Sequence, residues 1–401
     1  MTALIRETNI KGADSGALLG ETLAVKANIA IAGLSWDGAS PALSKVVSND
    51  HASTVDRALA AGATIIGQAN MHELAFGITS DNAHFGVVAG PHGAMAGGSS
   101  GGTAAAVAAG LTTMGLASDT GGSGRLPAAF CGCIGFRPSA GRYPGDGVLN
   151  LSISLDTVSA MAPDMDRLTR LDSTLADDKP SEAMPLEGLR LGRVQSVFWD
   201  NVDTRVAGPV EAAIERLCAA GAVIETRDAP DLHQTMDAIS LRIVIAEAKR
   251  WWMPFLEREL QPDISDFADQ IASPDVAGIF REIAADETTD SELQSMRTQG
   301  RDRVCEILET AMDGLDVLVY PTVPIAAPKL HTEEVQLNGK SHALFPLLTD
   351  RALAASLSGS PAISLPISGF DDRPLGLEPM ARPDDDRRLL GWATTIEQLL
   401  S

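Results

Sequence analysis

Two serines stand among glycines in the segment 97–123, and this setting is typical of a catalytic nucleophile. Ser99 lies in the run GGSSGG and Ser123 in the run DTGGSGR. Glycine has no Cβ, so the backbone amides beside it can approach a reacting carbonyl and adopt unusual dihedral angles. The pattern predicts that Ser123 attacks a carbonyl carbon.

A serine nucleophile needs a base, and a lysine offers one in this chain. None of the seven histidines lies in a context that suggests this role. Lys26 stands inside the apolar run LAVKANIA, where burial can keep its amine neutral. Its pKa, ordinarily about 10.4, must fall by roughly three pH units for this purpose. The sequence therefore predicts an activity that rises towards alkaline pH.

Strands and helices that alternate along the first half must position these residues. Residues 23–33 are typical of a strand that runs into a loop, and residues 53–63 of a helix with Ser53 as N-cap and Gly62 as stop. A short buried strand is expected over 63–70. This βαβ order predicts a parallel or mixed sheet covered by helices.

The same alternation returns in the second half. Residues 209–228 predict a helix followed by a strand, and two buried strands are expected in 314–324 and 359–367. A polar, proline-bearing stretch over 177–188 is the best linker or surface loop. Residues 234–303 are expected to be mainly helical. Close to the serines, the small residues of 103–111 predict a helix that is packed on all sides.

Composition limits the classes of partner and location. The chain has 401 residues, with 53 acidic against 31 basic side chains and a formal charge of −22. Such a charge repels nucleic acid and anionic membrane surfaces, so neither is an expected partner. No apolar run reaches the ~18 residues of a membrane span, and the start lacks a signal-peptide pattern. We therefore expect a cytoplasmic protein, and its four cysteines to be reduced.

A long compound motif resembles the signature of one enzyme family. It consists of GGSSGG at 97–102 and DTGGSGRLPAAFCGCIGFRP at 119–138, and the run VKANIAIAG around Lys26 matches a third family element. In these motifs the chain resembles the amidase signature enzymes. The likeness is dense from residue 23 to residue 164 and thinner later.

The resemblance implies a role for each matching residue. Ser123 corresponds to the nucleophile, Ser99 to a serine preceded by a cis peptide bond, and Lys26 to the base of a Ser-cisSer-Lys triad. Gly98 would ease the turn, and Ser100 would support the lysine or the proton relay. An oxyanion hole would be formed by the backbone amides of Thr120, Gly121, Gly122 and Ser123.

The resemblance also implies the architecture and the partners. The fold class is α/β, with a central mixed β-sheet sandwiched between α-helices in one amidase-signature domain over 1–401. We expect a catalytic half over 1–176, a variable, mainly helical substrate side over 177–310, and strands with a helix over 311–401 that complete the sheet. No metal and no organic cofactor is implied. The expected partner is a small-molecule amide, and a homodimer is one candidate assembly.

Two residues near Ser123 and two departures from the family pattern leave alternatives open. Asp119 is either a catalytic acid or, as we favour, a structural hydrogen-bond acceptor. Arg125 either binds a substrate carboxylate or anchors the loop against Asp119 or Asp156. Ala27 replaces the acidic residue that usually follows the lysine, which alters how Lys26 is oriented or tuned. The segment 154–162 also departs from the pattern, so a differently shaped loop is expected there.

The predicted activity is hydrolysis of a carbon–nitrogen amide bond through an acyl-enzyme on Ser123, with release of ammonia or an amine. Residues 135–148 resemble the aryl-acetamide branch of the family, which includes indoleacetamide and mandelamide hydrolases. The alternatives are an amidase subunit of a transamidosome-type complex, another partner-dependent or non-hydrolytic scaffold, and an esterase or carbamate hydrolase. The stretch ahead of the lysine strand is shorter than in most family members, which predicts a more open substrate entrance.

Overall fold

A mixed sheet of eleven strands runs through the computed structural model, which describes residues 2–260 and 263–401. The strands of this sheet are β1 (Leu4–Lys11), β2 (Thr22–Lys26), β3 (Thr64–Ala69), β4 (Met114–Asp119), β5 (Ile134–Arg137), β6 (Thr157–Ala162), β7 (Arg190–Val194), β8 (Val223–Arg227), β9 (Val317–Pro321), β12 (Ala362–Phe370) and β13 (Arg373–Met380). Their order in the sheet is β1-β3-β2-β4-β6-β5-β12-β13-β9-β7-β8. A separate hairpin pairs β10 (Glu334–Leu337) with β11 (Lys340–Ala343).

Helices flank this sheet. They are α1 (Ser53–Ala60), α2 (Gly101–Ala108), α3 (Arg125–Cys131), α4 (Met165–Ala176), α5 (Thr204–Ala219), α6 (Leu232–Asp237), α7 (Ser240–Glu259), α8 (Ile264–Ala268), α9 (Pro274–Ala285), α10 (Asp290–Ser295), α11 (Arg301–Ala311), α12 (Leu344–Thr349), α13 (Ala352–Ser358) and α14 (Asp386–Leu400). In the part of the chain that the structure describes, no helix is long and apolar enough to cross a membrane.

The pairing of the strands confirms the predicted mixed sheet. Strand β2 runs parallel to both β3 and β4, and β7 runs parallel to both β8 and β9. The strands between these two parallel blocks are antiparallel to their neighbours. The central strands β4, β5 and β6 are buried along their whole length.

Helix α2 enters the fold directly after the serine-rich run and ends three residues earlier than the sequence predicts. Its residues from Gly101 to Val107 are all buried, and a Cβ on Gly102 would lie 2.2 Å from the carbonyl oxygen of Asn70. Only glycine permits such an approach, so α2 packs directly on the segment that follows β3. Leu111, which we placed in this helix, is instead exposed in the loop beyond it.

Two local predictions were wrong. Ser53 is the first residue of α1 and not its N-cap; the N-cap is Ala52, and the Ser53 hydroxyl bonds the carboxylate of Asp146 at 2.9 Å. The second half of the 154–162 segment forms the central strand β6 and not a loop. Its small and β-branched side chains suit a strand that is buried between two neighbours.

Candidate active site

Lys26 is the last residue of β2, and its side chain is completely buried. Its amine Nζ lies 2.7 Å from the hydroxyl oxygen of Ser99 and 2.8 Å from that of Ser118. Burial lowers the pKa of this amine to about 7, against the opposing pull of the carboxylates of Asp119 and Asp156. A substantial share of the amine is therefore neutral near neutral pH and able to accept a proton.

Ser99 is presented to the lysine by a tightly held backbone. The peptide bond between Gly98 and Ser99 is cis. The Ser99 carbonyl accepts the backbone N–H of His72 at 3.0 Å and the hydroxyl of Ser80 at 3.3 Å. A Cβ on Gly98 would lie 2.8 Å from the carbonyl carbon of Ile78, so the neighbouring backbone leaves room only for glycine.

Ser100 occupies the N-cap position of α2, yet its side chain does not cap that helix. Its hydroxyl donates instead to the backbone carbonyl of Ser118 at 3.2 Å. Ser100 thus joins the start of α2 to the end of β4 and does not bond the Lys26 amine directly. Any support that it gives to the lysine passes through the position of Ser118.

Ser123 lies in the turn between β4 and α3, where it borders a pocket together with Thr120 and Gly121. The described residues show no hydrogen bond between the hydroxyls of Ser123 and Ser99. The structure thus joins Lys26 to Ser99 directly and places Ser123 on the wall that a ligand would touch.

One of the four predicted oxyanion donors is already engaged. The N–H of Gly122 donates to the Asp119 carboxylate at 2.9 Å, so this donor is not free for an oxyanion. Thr120 is held through its side chain, because its hydroxyl donates to Asp156 at 2.6 Å. This finding corrects the prediction for Gly122 and leaves the amides of Thr120, Gly121 and Ser123 as candidates.

A buried ion cluster of Asp119, Arg125, Arg137 and Glu378 anchors the loop that carries Ser123. The Asp119 carboxylate accepts bonds from Arg125 Nε at 3.0 Å and Arg137 Nη1 at 3.1 Å, and Arg125 Nη1 also reaches Glu378 at 2.6 Å. These two guanidinium groups hold the pKa of Asp119 well below its usual range. Asp119 is therefore an ionised acceptor near neutral pH and not a catalytic acid.

The same cluster decides between the two predicted roles of Arg125. Its side chain is completely buried, and its remaining contact is a bond from Nη2 to the backbone carbonyl of Ala352 at 3.0 Å. A substrate carboxylate cannot reach this guanidinium. Arg125 is the loop anchor that we considered as one of two alternatives.

The pocket beside Ser123 is apolar. It lies between the segment 75–78, helix α7 and helices α12 and α13. Among the described residues its lining includes no charged side chain, and its larger apolar members are Phe76, Ile78, Leu151, Leu241, Val244, Ile245, Ile279, Phe345 and Leu353. Trp252 lies elsewhere, packed against Phe267 and Phe280 in a separate core. The pocket therefore suits an uncharged, apolar ligand.

Ser118 and Arg137 were given no role in the site from the sequence, and Asp156 was predicted only as a possible partner of Arg125. Ser118 bonds the lysine, Asp156 fixes Thr120, and Arg137 pairs with Asp119. Ser118 and Arg137 are buried and Asp156 is partly buried, and polar side chains in such places need a partner or a function. Arg137 stands inside the compound motif over 119–138, whereas the signal for Ser118 and Asp156 was their position inside or beside apolar strands.

Comparison with known proteins places this site in a family. The family model described as Amidase matches residues 3–390. The chain belongs to the amidase family. The indoleacetamide hydrolase of Agrobacterium vitis is 34% identical over 96% of this chain and 84% of its own length. The mandelamide hydrolase of Pseudomonas putida is 32% identical over 97% of this chain and 80% of its own.

Solved structures agree with this assignment. A crystal structure described as an amidase superposes with a TM-score of 0.86 at 29% identity and covers 96% of this chain and 86% of that one. The protein is thus an amidase, a hydrolase that acts on amide carbon–nitrogen bonds. The amidase architecture expected from the signature motifs is confirmed.

Proposed function

We propose that this amidase hydrolyses small, apolar amides of the aryl-acetamide type through an acyl-enzyme on Ser123, with Ser99 and Lys26 as a proton relay. The observation that carries the proposal is the 2.7 Å contact between the buried Lys26 amine and the Ser99 hydroxyl. Ser123 supports it from the wall of the apolar pocket. A buried amine with a lowered pKa next to a hydroxyl is an arrangement that supports base catalysis.

In the acylation step, the Ser123 oxygen attacks the amide carbon. The Ser123 proton passes to the Ser99 oxygen, while the Ser99 proton passes to the neutral amine of Lys26. The negative charge on the carbonyl oxygen is stabilised by the backbone amides of Thr120, Gly121 and Ser123. The arrangement moves one proton into the buried lysine for each attack.

The leaving nitrogen of the substrate then receives this proton. Lys26 returns it through Ser99 to the nitrogen of the tetrahedral intermediate, the carbon–nitrogen bond breaks, and an ester on Ser123 remains. Water attacks this ester with the same relay acting as base, which releases the acid and restores Ser123. Acylation and hydrolysis of the acyl-enzyme each start with a neutral Lys26 amine, so both depend on the lowered pKa of Lys26.

The substrate class follows from the pocket and is supported by the relatives. Phe76, Ile279 and Phe345 offer apolar contact to an aromatic acyl group, and no charged side chain of the described lining would bind a carboxylate. The two hydrolases named above act, by their names, on indoleacetamide and mandelamide. Both are hydrolases, which favours an independent amidase over a transamidosome subunit.

Ammonia release by the purified protein tests this proposal. We expect aryl-acetamides such as phenylacetamide to exceed acetamide in kcat/KM by about tenfold or more, because the apolar pocket stabilises the aromatic group. Esters and carbamates of the same acyl group test the esterase and carbamate alternatives. The Ser123→Ala variant is the control, and we expect it to release no ammonia above background.

Two outcomes would contradict the proposal. Ammonia release by Ser123→Ala at the wild-type rate would exclude Ser123 as nucleophile. Equal kcat/KM values for acetamide and phenylacetamide would exclude the apolar pocket as the acyl site.

A further inference from the structure

The Lys26 amine has a second hydroxyl neighbour besides Ser99. Ser118 Oγ lies 2.8 Å from Nζ, almost as close as Ser99 Oγ at 2.7 Å. Ser118 is the penultimate residue of β4, and β4 runs parallel to β2, which ends on the lysine. The sheet therefore places Ser118 beside the amine as firmly as the serine-rich run places Ser99.

Ser118 is itself bonded by the side-chain amide of Asn28, a residue whose backbone is held in place. The side-chain Nδ2 of Asn28 donates to Ser118 Oγ at 3.1 Å. The backbone carbonyl of Asn28 accepts the Trp36 indole N–H and the Leu149 N–H, each at 2.9 Å. Asn28 and Ser118 are both buried, so neither can exchange its partner for bulk water.

A neutral amine carries two N–H donors and a single lone pair. To remove the proton of Ser99, Lys26 must point that lone pair at Ser99 Oγ, so an N–H has to go elsewhere. Ser118 Oγ is the other oxygen that bonds Nζ in the described structure. A hydroxyl oxygen has two acceptor positions, and the Asn28 amide and a Lys26 N–H fill both.

We propose that Ser118, fixed by Asn28, is a positioning residue that accepts an N–H of neutral Lys26 and so turns the lone pair of the amine towards Ser99. The inference rests on the proposed function, since it assumes that Lys26 is the base. In this proposal Asn28 and Ser118 orient the Lys26 amine and do not contact the substrate.

The charged groups around Lys26 are bonded to other partners, so the orientation of its amine depends on neutral groups. The carboxylates that act on the amine are those of Asp119 and Asp156. Asp119 is paired with two arginines, and Asp156 accepts bonds from the Thr120 hydroxyl and the backbone N–H groups of the 151–152 segment. Ala27 contributes no carboxylate where the family usually has one. The Asn28–Ser118 pair is thus the polar contact that can orient the amine.

The Ser118→Ala variant tests the proposal through its pH–rate profile. We expect kcat to fall by about 10- to 100-fold while KM stays unchanged. A hydroxyl acceptor stabilises the charged amine more than the neutral one, so its removal lowers the pKa of Lys26. The acid limb of the profile, where the rate rises as Lys26 loses its proton, should therefore move to lower pH by roughly half a unit. A variant with more neutral lysine and a lower rate is the signature of lost orientation. Ser118→Thr keeps the hydroxyl and should restore most of the rate.

A second variant decides the matter if Ser118→Ala does not fold. Asn28→Asp puts a negative charge next to Ser118, which should raise the pKa of Lys26 and move the acid limb to higher pH. The proposal is overturned if Ser118→Ala keeps the wild-type rate and limb, if Ser118→Thr is as slow as Ser118→Ala, or if Asn28→Asp leaves the limb in place. Wild-type activity in Lys26→Ala would instead overturn the proposed function itself.

Discussion

Replacing Lys26 with alanine lowers kcat by about 10³-fold or more, because the members of a proton relay act as a unit and no other base bonds Ser99 Oγ among the described residues. The pocket is untouched, so KM should change little. The rate is measured as ammonia release from an aryl-acetamide, with circular dichroism as the check on folding. Lys45→Ala, which removes an exposed lysine, is the matched control and should keep the wild-type rate.

The pH dependence of the wild-type rate also tests the role of Lys26 as base. Burial places the pKa of Lys26 at about 7, and only the neutral amine accepts a proton. The amine is therefore protonated and inactive below pH 7, and the rate rises through pH 7 to a plateau above it. A loss of less than about tenfold in Lys26→Ala, or a wild-type rate that is flat across this range, would contradict the role of Lys26 as base.

The Asp119→Asn variant has the largest effect that we expect on stability. Asp119 is fully buried and compensates Arg125 and Arg137 at once, so its loss leaves two buried guanidinium groups with only the carboxylate of Glu378. Breaking such a buried pair lowers the free energy of unfolding by about 3–5 kcal/mol. Urea unfolding followed by tryptophan fluorescence measures this change.

An exposed ion pair supplies the control for this variant. Asp166 lies on α4, is 80% exposed and pairs with Arg170, so Asp166→Asn should change the free energy of unfolding by no more than about 0.5 kcal/mol. Equal unfolding midpoints for Asp119→Asn and Asp166→Asn would show that the cluster does not hold the loop. In the wild type, the lowered pKa of Asp119 means that its contribution is complete above its ordinary pKa of 3.8 and is lost only as the pH falls further.

The sequence predicted those parts of the site that are continuous in the chain. Ser99 and Ser123 stand in glycine-rich runs that are recognisable without their neighbours, and Lys26 is unusual as a charge within an apolar strand. The alternation of strands and helices was also readable, because hydrophobic periodicity is a local property. The mixed character of the sheet followed from that alternation.

The contacts between distant segments could not be predicted. Ser118 meets Lys26 only because β2 and β4 are neighbours in the sheet, and Arg125 meets Glu378 across 253 positions of sequence. The direction of the Gly122 N–H depends on the Asp119 carboxylate, which no sequence pattern fixes. The loop expected within 154–162 came from a departure in the motif, whereas burial between β4 and β5 makes the residues of β6 a strand.

Trapping of a covalent intermediate tests whether Ser123 carries the acyl group. Wild-type protein is mixed with phenylacetamide, quenched in acid within the first turnovers, and its intact mass and peptide masses are recorded. We expect a phenylacetyl adduct on the peptide that contains Ser123, and none in Ser123→Ala. Ammonia release by the wild type together with an adduct on another residue, or continued turnover by Ser123→Ala, would contradict this expectation.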